Sequence, residues 1–357
     1  LSGNFNGVKN GRKPTIYRLQ KLVLALAFFL PGCGDSREDE AVQFFKRANF
    51  LVSRREYRQA IPFYNEAIEK KPDFADAYNN RGLARQRLNQ WTAARSDFDE
   101  AIRHDPEYRE AYYNRARAQF ELGQAAAGLA DLEKIEAEYR DSAFFQVTKA
   151  DLLALNQNRS AAYAAYDRAL QLDARSVEAH VNRGVLYFQD RRYAEARRDF
   201  ERALALDPKQ HFALNNLALI QARSGQLDQA LRSVNRAIEL KPGQAYYLNN
   251  KGYILLELNQ LQPGLAAIES ALRLDDRNGW AYRNRGIYEL KINQPERALA
   301  DFQKAQSIDP GIEDLAYYTG AAYFQLQRLT QACTTWQSGV QLNEARSREM
   351  AEQYCRR

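Results

Sequence analysis

The chain has 357 residues, 45% of them hydrophobic and 27% charged, with only 10 prolines, which excludes a peptide, a disordered chain and a polytopic membrane protein. Its formal charge of +6 is not a nucleic-acid signature: residues 1–32 hold Lys9, Arg12, Lys13, Arg18 and Lys21 without an acid, and removing these five from 51 basic residues leaves 46 against 45 acidic ones. The body beyond them is nearly neutral.

The first segment in chain order is a leader. Its positive charges precede the apolar run Leu22–Leu30, too short for the roughly 20 helical residues a bilayer requires. A basic stretch, a short greasy stretch and small residues before a cut are the parts of a secretory signal, and Leu30-Pro31-Gly32-Cys33 supplies the last. This end resembles a bacterial lipobox, with Leu30, Gly32 and Cys33 matching and Pro31 departing from the usual small or aliphatic residue. The resemblance implies cleavage after residue 32, lipidation of Cys33, and attachment to the bacterial envelope, facing periplasm or cell surface. Gly34 behind the cysteine, by resemblance to enterobacterial sorting, favours the outer membrane. Residues 33–40, rich in charge, read as the lipidated cysteine and a polar tether.

From Ala41 the chain repeats every 34 residues without insertion, giving nine units that start at 41, 75, 109, 143, 177, 211, 245, 279 and 313 and end at 346. Unit position 8 is Gly or Ala throughout (Ala48, Gly82, Ala116 and onward), and so is position 20 (Ala60, Ala94, Gly128 and onward). Position 24 is always large and apolar, from Tyr64 and Phe98 to Trp336, and Pro72, Pro106, Pro208, Pro242 and Pro310 stand at position 32. Two amphipathic helices per unit approach closely only where side chains vanish, so positions 8 and 20 are small and position 24 fills the gap. Proline at position 32 ends the second helix. Unit 3, with Gly123, Gly128 and Arg140 in place of proline, and unit 4, with Ala174 there, weaken these boundaries and leave room for a hinge near 120–145, although the continuous register argues against a domain break there.

These positions resemble the tetratricopeptide repeat family, as in Ala75-Asp-Ala-Tyr-Asn-Asn-Arg-Gly82 through Trp91, Ala94, Phe98, Ala101 and Pro106. The resemblance implies an all-α fold: a right-handed superhelical solenoid of nine helix-turn-helix units over 41–346, with 347–357 as a C-terminal capping helix. It also implies a concave groove lined by positions 2, 5, 6, 9, 12 and 13 of the first helices.

A covariation supports the packing. Position 7 is Arg where position 23 is Asp (Arg81 with Asp97, Arg115 with Asp131, Arg183 with Asp199, Arg285 with Asp301), while Arg47 stands opposite Phe63. Facing each other across the hairpin, these residues are expected to form ion pairs, worth about 0–1 kcal/mol if exposed.

Groove position 6 is Asn in six units: Asn80, Asn114, Asn182, Asn216, Asn250 and Asn284, with Asn79, Asn215 and Asn249 beside three of them. Such a column resembles the asparagine ladder with which O-linked N-acetylglucosamine transferases hold a peptide backbone. Asn is also common here in the family consensus, where it bonds locally, and the residues leave both readings open. Position 2 changes from Asp76 and Glu110 to Phe212, Tyr246 and Trp280, and Tyr253 joins them at position 9, so the early units should prefer basic or polar segments and the later ones apolar segments. The carboxylate clamp some relatives use for chaperone tails needs Lys at position 5, where unit 1 has Phe45.

Cys333 and Cys355 flank the turn at Asn343 and Glu344 at equal spacing, so an antiparallel hairpin would bring them together. In an oxidising compartment they should close a disulfide that pins the C-terminal tail over the last unit; in a reducing one they would be two buried thiols. No catalytic, dinucleotide or metal motif is present, and the three histidines fall at different unit positions. The expectation is therefore a non-enzymatic scaffold that needs no cofactor and no small-molecule substrate, binding a protein or peptide in its groove and a membrane through its lipid anchor. The rival is a glycan-binding helical lipoprotein in which Tyr246, Tyr253 and Trp280 stack on sugars, although relatives of that kind carry insertions this chain lacks.

Overall fold

The structure, a computed structural model, describes residues 36–355, so the leader, the lipobox and Cys33 lie outside the described residues. Among the described residues the chain is nineteen α-helices. Four hairpins come first: α1 (Ser36–Ser53) with α2 (Tyr57–Lys70), α3 (Ala75–Arg87) with α4 (Trp91–His104), α5 (Arg109–Glu121) with α6 (Ala125–Tyr139), and α7 (Ala143–Leu155) with α8 (Arg159–Leu172). The fifth unit is α9 (Val177–Gln189) and α10 (Tyr193–Leu206). Then follow α11 (His211–Arg223) with α12 (Leu227–Leu240), α13 (Ala245–Glu257) with α14 (Leu261–Leu274), α15 (Gly279–Lys291) with α16 (Pro295–Ile308), α17 (Leu315–Gln325) with α18 (Leu329–Gln341), and a last helix, α19 (Ala345–Tyr354). This is an all-α stack of paired antiparallel helices with a final helix. None of these helices is long and apolar enough to cross a membrane. Helix α1 begins inside the segment expected as a tether, and Glu38 and Glu40 are ion-paired with Lys71 and Lys70 at 2.7 and 2.6 Å, so part of that segment belongs to the folded body.

The helices form two compact bodies that divide between Leu186 and Tyr187, within α9. The division is not at 120–145, where degenerate unit 3 suggested a hinge. There α6 runs on to Tyr139, and Gln146 Nε2 donates to Arg140 O at 2.6 Å across the turn. In unit 4, which lacks its proline, Asp173 Oδ1 accepts from Arg175 N at 2.9 Å, an Asx turn that stops the helix without one.

The turn inside each unit has one geometry. Position 15 lies in the left-handed region in all nine units, φ running from 58° to 73°, although only Gly123 and Gly225 are glycine. The next residue's N–H reaches back to the carbonyl five residues earlier, as from Gln90 to Arg85 at 3.0 Å and from Gln260 to Leu255 at 2.8 Å, which closes a Schellman motif over the end of the first helix.

Position 8 meets position 24 as the pattern requires. A Cβ added to Gly82, Gly286 or Gly320 would lie 2.6, 2.4 or 2.3 Å from Phe98, Phe302 or Trp336. The position 7 arginines grip the position 23 carboxylates, with three hydrogen bonds from Arg81 to Asp97 and two each from Arg115 to Asp131 and Arg285 to Asp301. Arg81 and Arg115 also reach Asn65 and Asp99 of the preceding unit, at 2.7 and 2.8 Å. These pairs are not exposed: Asp97 is 2% accessible, and burial pushes its carboxyl above the usual range against the pull of Arg81 and Arg85. Where Phe63 replaces the acid, the Arg47 guanidinium lies 5.0 Å over its ring.

The C-terminal end is capped by α19. Cys333 and Cys355 are joined by a disulfide with Cα atoms 5.5 Å apart, and Tyr354 packs on Phe324 and Trp336. Buried Glu344 accepts from the N–H groups of Ala316 and Tyr317 at 3.3 and 3.0 Å, so the turn before α19 caps the exposed N-terminus of α17.

Candidate functional site

Within each body the first helices of successive units touch one another, α1 to α3 to α5 to α7 and α11 to α13 to α15 to α17, whereas second helices meet only their neighbouring first helices. That asymmetry puts the first helices on the inner side of each stack and makes their free faces the candidate binding surface.

The asparagine column does not face outward there. Asn80 Nδ2 donates to Asn49 at 3.1 Å, Asn114 to Asn79 at 2.9 Å, Asn250 to Asn215 at 2.9 Å and Asn284 to Asn249 at 2.8 Å, each acceptor lying in the preceding unit. Asn182 donates to Asp151 at 3.1 Å in the same manner. Asn216 alone turns back on its own helix, to Phe212 O at 2.9 Å. All except Asn80 and Asn216 are buried. Five of the six amides therefore tie successive units together, the local bonding of the consensus reading.

What the inner faces do present differs between the bodies. In the first, Gln86, Arg117, Phe120, Glu121, Thr148, Asp151 and Glu178 line a pocket of ≈ 30 Å³, room for about one water. All are groove positions, and acids outnumber the single arginine. Asp151 is buried, bonded by the Tyr166 hydroxyl and Asn182, and burial pushes its carboxyl up to about 7.

In the second body the inner face is aromatic. Phe212 and Tyr246 are half-buried, and Tyr246 packs edge-on against Tyr247, whose hydroxyl lies 2.6 Å from His211 Nδ1. Burial moves His211 below its ordinary value. Tyr253 and Trp280 do not stand open: the Arg283 guanidinium lies 5.7 Å from the first ring, 5.2 Å from the second and 5.1 Å from Tyr318. Arg223, at the end of α11, meets Glu313, just before α17, through two hydrogen bonds of 2.9 Å, a contact between residues 90 apart that spacing could not foretell. No cluster of three or more His, Cys, Asp or Glu suited to a metal occurs among the described residues.

Comparison with known proteins agrees with this architecture. Tetratricopeptide repeat profiles match residues 81–143, 177–210, 200–232 and 250–313, and a TPR repeat profile matches 48–89. The chain is similar in fold to the Cut9–Hcn1 hetero-tetramer structure of the APC/C, with a TM-score of 0.61 at 12% identity over 88% of this chain and 76% of that one. Other matches are yeast Tom70, at 15% identity over 89% and 96% with a TM-score of 0.42, and MamA from Desulfovibrio magneticus RS-1, at 17% identity over 48% and 97% with a TM-score of 0.44. No curated protein matches the sequence. With the register, the helix pairs and the profile matches in agreement over more than half its length, the chain belongs to the tetratricopeptide repeat family.

Proposed function

We propose that this non-enzymatic scaffold holds an extended segment of a partner protein against the inner faces of its first helices, with side chains rather than a ladder of amides making the contacts. The observation that carries this reading is the contrast between the two rows on one face: the position 6 amides are engaged between units, while Phe212 and Tyr246 at position 2 keep half-buried rings on the inner side. Half-exposed aromatic rings on a rigid helical face are anchors of the kind that dominate interface energetics. Bracketing of Arg283 by Tyr253 and Trp280 takes away ring faces that a sugar would stack on, so a peptide is the better fit than a glycan.

The leader supports a place for this activity: a lipid-anchored protein of the bacterial envelope, held by Cys33. Affinity capture of partners with the full chain tests the scaffold reading. Replacing Phe212 and Tyr246 by Ala should remove the same partners that wild type retains, without lowering the melting temperature by more than a few degrees; undiminished capture by the double variant contradicts it. Cys33→Ser should release the protein from membranes, and unchanged retention contradicts the anchor.

A further inference from the structure

Glu313 lies among three guanidiniums. Arg223 holds it with two bonds of 2.9 Å, Arg191 Nη2 lies 3.7 Å from its Oε1, and the charge of Arg283 reaches it as well. Burial alone would raise its carboxyl, yet the arginines, Arg223 foremost, carry it below the ordinary value. Glu257 and Asp314 also lie within electrostatic reach of this cluster, through Tyr253 and Tyr193, and Glu313 is the acid that Arg223 holds directly. Deeper in the same place, Arg283 is 6% accessible and its Nε has no partner, nor has the buried Nε1 of neighbouring Trp280. Two buried N–H donors without acceptors beside the Arg223–Glu313 contact leave capacity for one more anionic oxygen pair.

The segment that delivers Glu313 departs from the repeat. First helices α3, α5, α7, α9, α11, α13 and α15 begin at unit position 1, but α17 begins two residues late at Leu315. Asp314 takes φ 56°, left-handed backbone unrelated to the recurrent position 15 turn. Ile312 anchors the displaced stretch by packing into the core against Gly279. The chain bends out of register here, and the bend carries Glu313 across the inner face to α11.

We propose that Arg191, Arg223 and Arg283 receive a side-chain carboxylate of an acidic, aromatic-containing partner segment, and that Glu313 occupies this receptor in the free chain as an internal stand-in for it. The proposal rests on the scaffold reading above and adds its partner chemistry and its gate. A partner's Asp or Glu exchanges for Glu313 on Arg223 while its neighbouring aromatic residue lies on Tyr246 and Phe212. The exchange makes binding competitive with an intramolecular contact, so the stand-in lowers affinity for acidic segments and for no others. The receptor is built from first-helix positions 5 and 13 and the position 15 turn, so it shares position 5 with the clamp, filled here by Arg283, and differs from it in the other two.

The test uses the full chain and three fluorescent octapeptides, N-acetylated and C-amidated, in which Phe alternates with Glu, Gln or Lys; affinity is read by anisotropy at fixed salt. Glu313→Gln should bind the Glu peptide about tenfold more tightly than wild type does, with the Gln and Lys peptides unchanged. Arg223→Gln should weaken the Glu peptide, and the double variant should lose the gain. Melting curves of each variant establish that it is folded. Equal affinity of wild type and Glu313→Gln for the Glu peptide, an equal gain for all three peptides, or no binding by any variant overturns the proposal and leaves Glu313 a structural strap. The scaffold reading itself stands or falls on partner capture through Phe212 and Tyr246, which does not depend on these peptides.

Discussion

Asp151 accepts the Tyr166 hydroxyl and the Asn182 amide at the boundary of units 4 and 5, the place where Asn49 accepts the Tyr64 hydroxyl at 2.6 Å and the Asn80 amide at 3.1 Å one boundary after the start of the array. The same three-residue joint is neutral in one copy and carries a buried carboxyl in the other.

That difference predicts a pH dependence. The folded carboxyl of Asp151 titrates near 7 and the unfolded one near 4, so between these values the folded state binds the extra proton. Its contribution is most favourable below about pH 4, is lost as pH rises toward 7 and stays lost above. Asp151→Asn, which copies Asn49, should raise stability at pH 8 by on the order of 2 kcal/mol and leave it little changed at pH 4. Urea denaturation of both proteins at the two pH values checks this; a variant less stable than wild type at pH 8 contradicts it.

The buried ion pairs yield a second expectation. Arg115→Ala leaves the buried Asp131 carboxylate without its two hydrogen bonds and should cost about 3–5 kcal/mol, whereas the double variant Arg115→Met, Asp131→Leu should recover most of the loss. Chemical denaturation of the single and double variants measures both.

How much of this was readable from residues follows from the same contacts. Repeat spacing alone gave every hairpin, and the pairing of positions 7 and 23 was visible because both partners recur in one unit. The asparagine column left two readings open because a position 6 amide finds its acceptor in another unit. The acceptor is at position 9 where Asn49 or Asp151 stands and at position 5 where Asn79, Asn215 or Asn249 stands. Unit 5 has Val181 and Val185 at those places, neither able to accept, and Asn216 of the next unit bonds its own helix. Those acceptors were a signal in the sequence. Glu313 and Glu344 left none, since their partners depend on how far the chain bends between units.

The recurrent turn is also a test. Gln157 holds φ 60° in a conformation that costs an L side chain about 1 kcal/mol, so Gln157→Gly should stabilise the chain by up to about 1 kcal/mol, while Gly123→Ala at φ 73° should destabilise it by about as much. Thermal melts of the two variants should move in opposite directions; movement in the same direction contradicts the shared geometry.

At the far end, the 22-residue separation of Cys333 and Cys355 gives a cross-link worth about 3 kcal/mol by loop entropy. Cys355→Ser should lower the midpoint of the second body's unfolding, and reduction of the wild type should do the same; two free thiols counted in the native oxidised protein would contradict the bond.

The scaffold reading places a partner segment on the inner face of the first helices. Photo-crosslinking tests it most directly, with a photoreactive residue in place of Tyr246 on α13 or of exposed Arg232 on α12, in the full chain in cells. Tyr246 should capture one dominant protein through a single extended segment, and Arg232 should not capture it. Capture of the same protein from both positions, or from Arg232 alone, would contradict it.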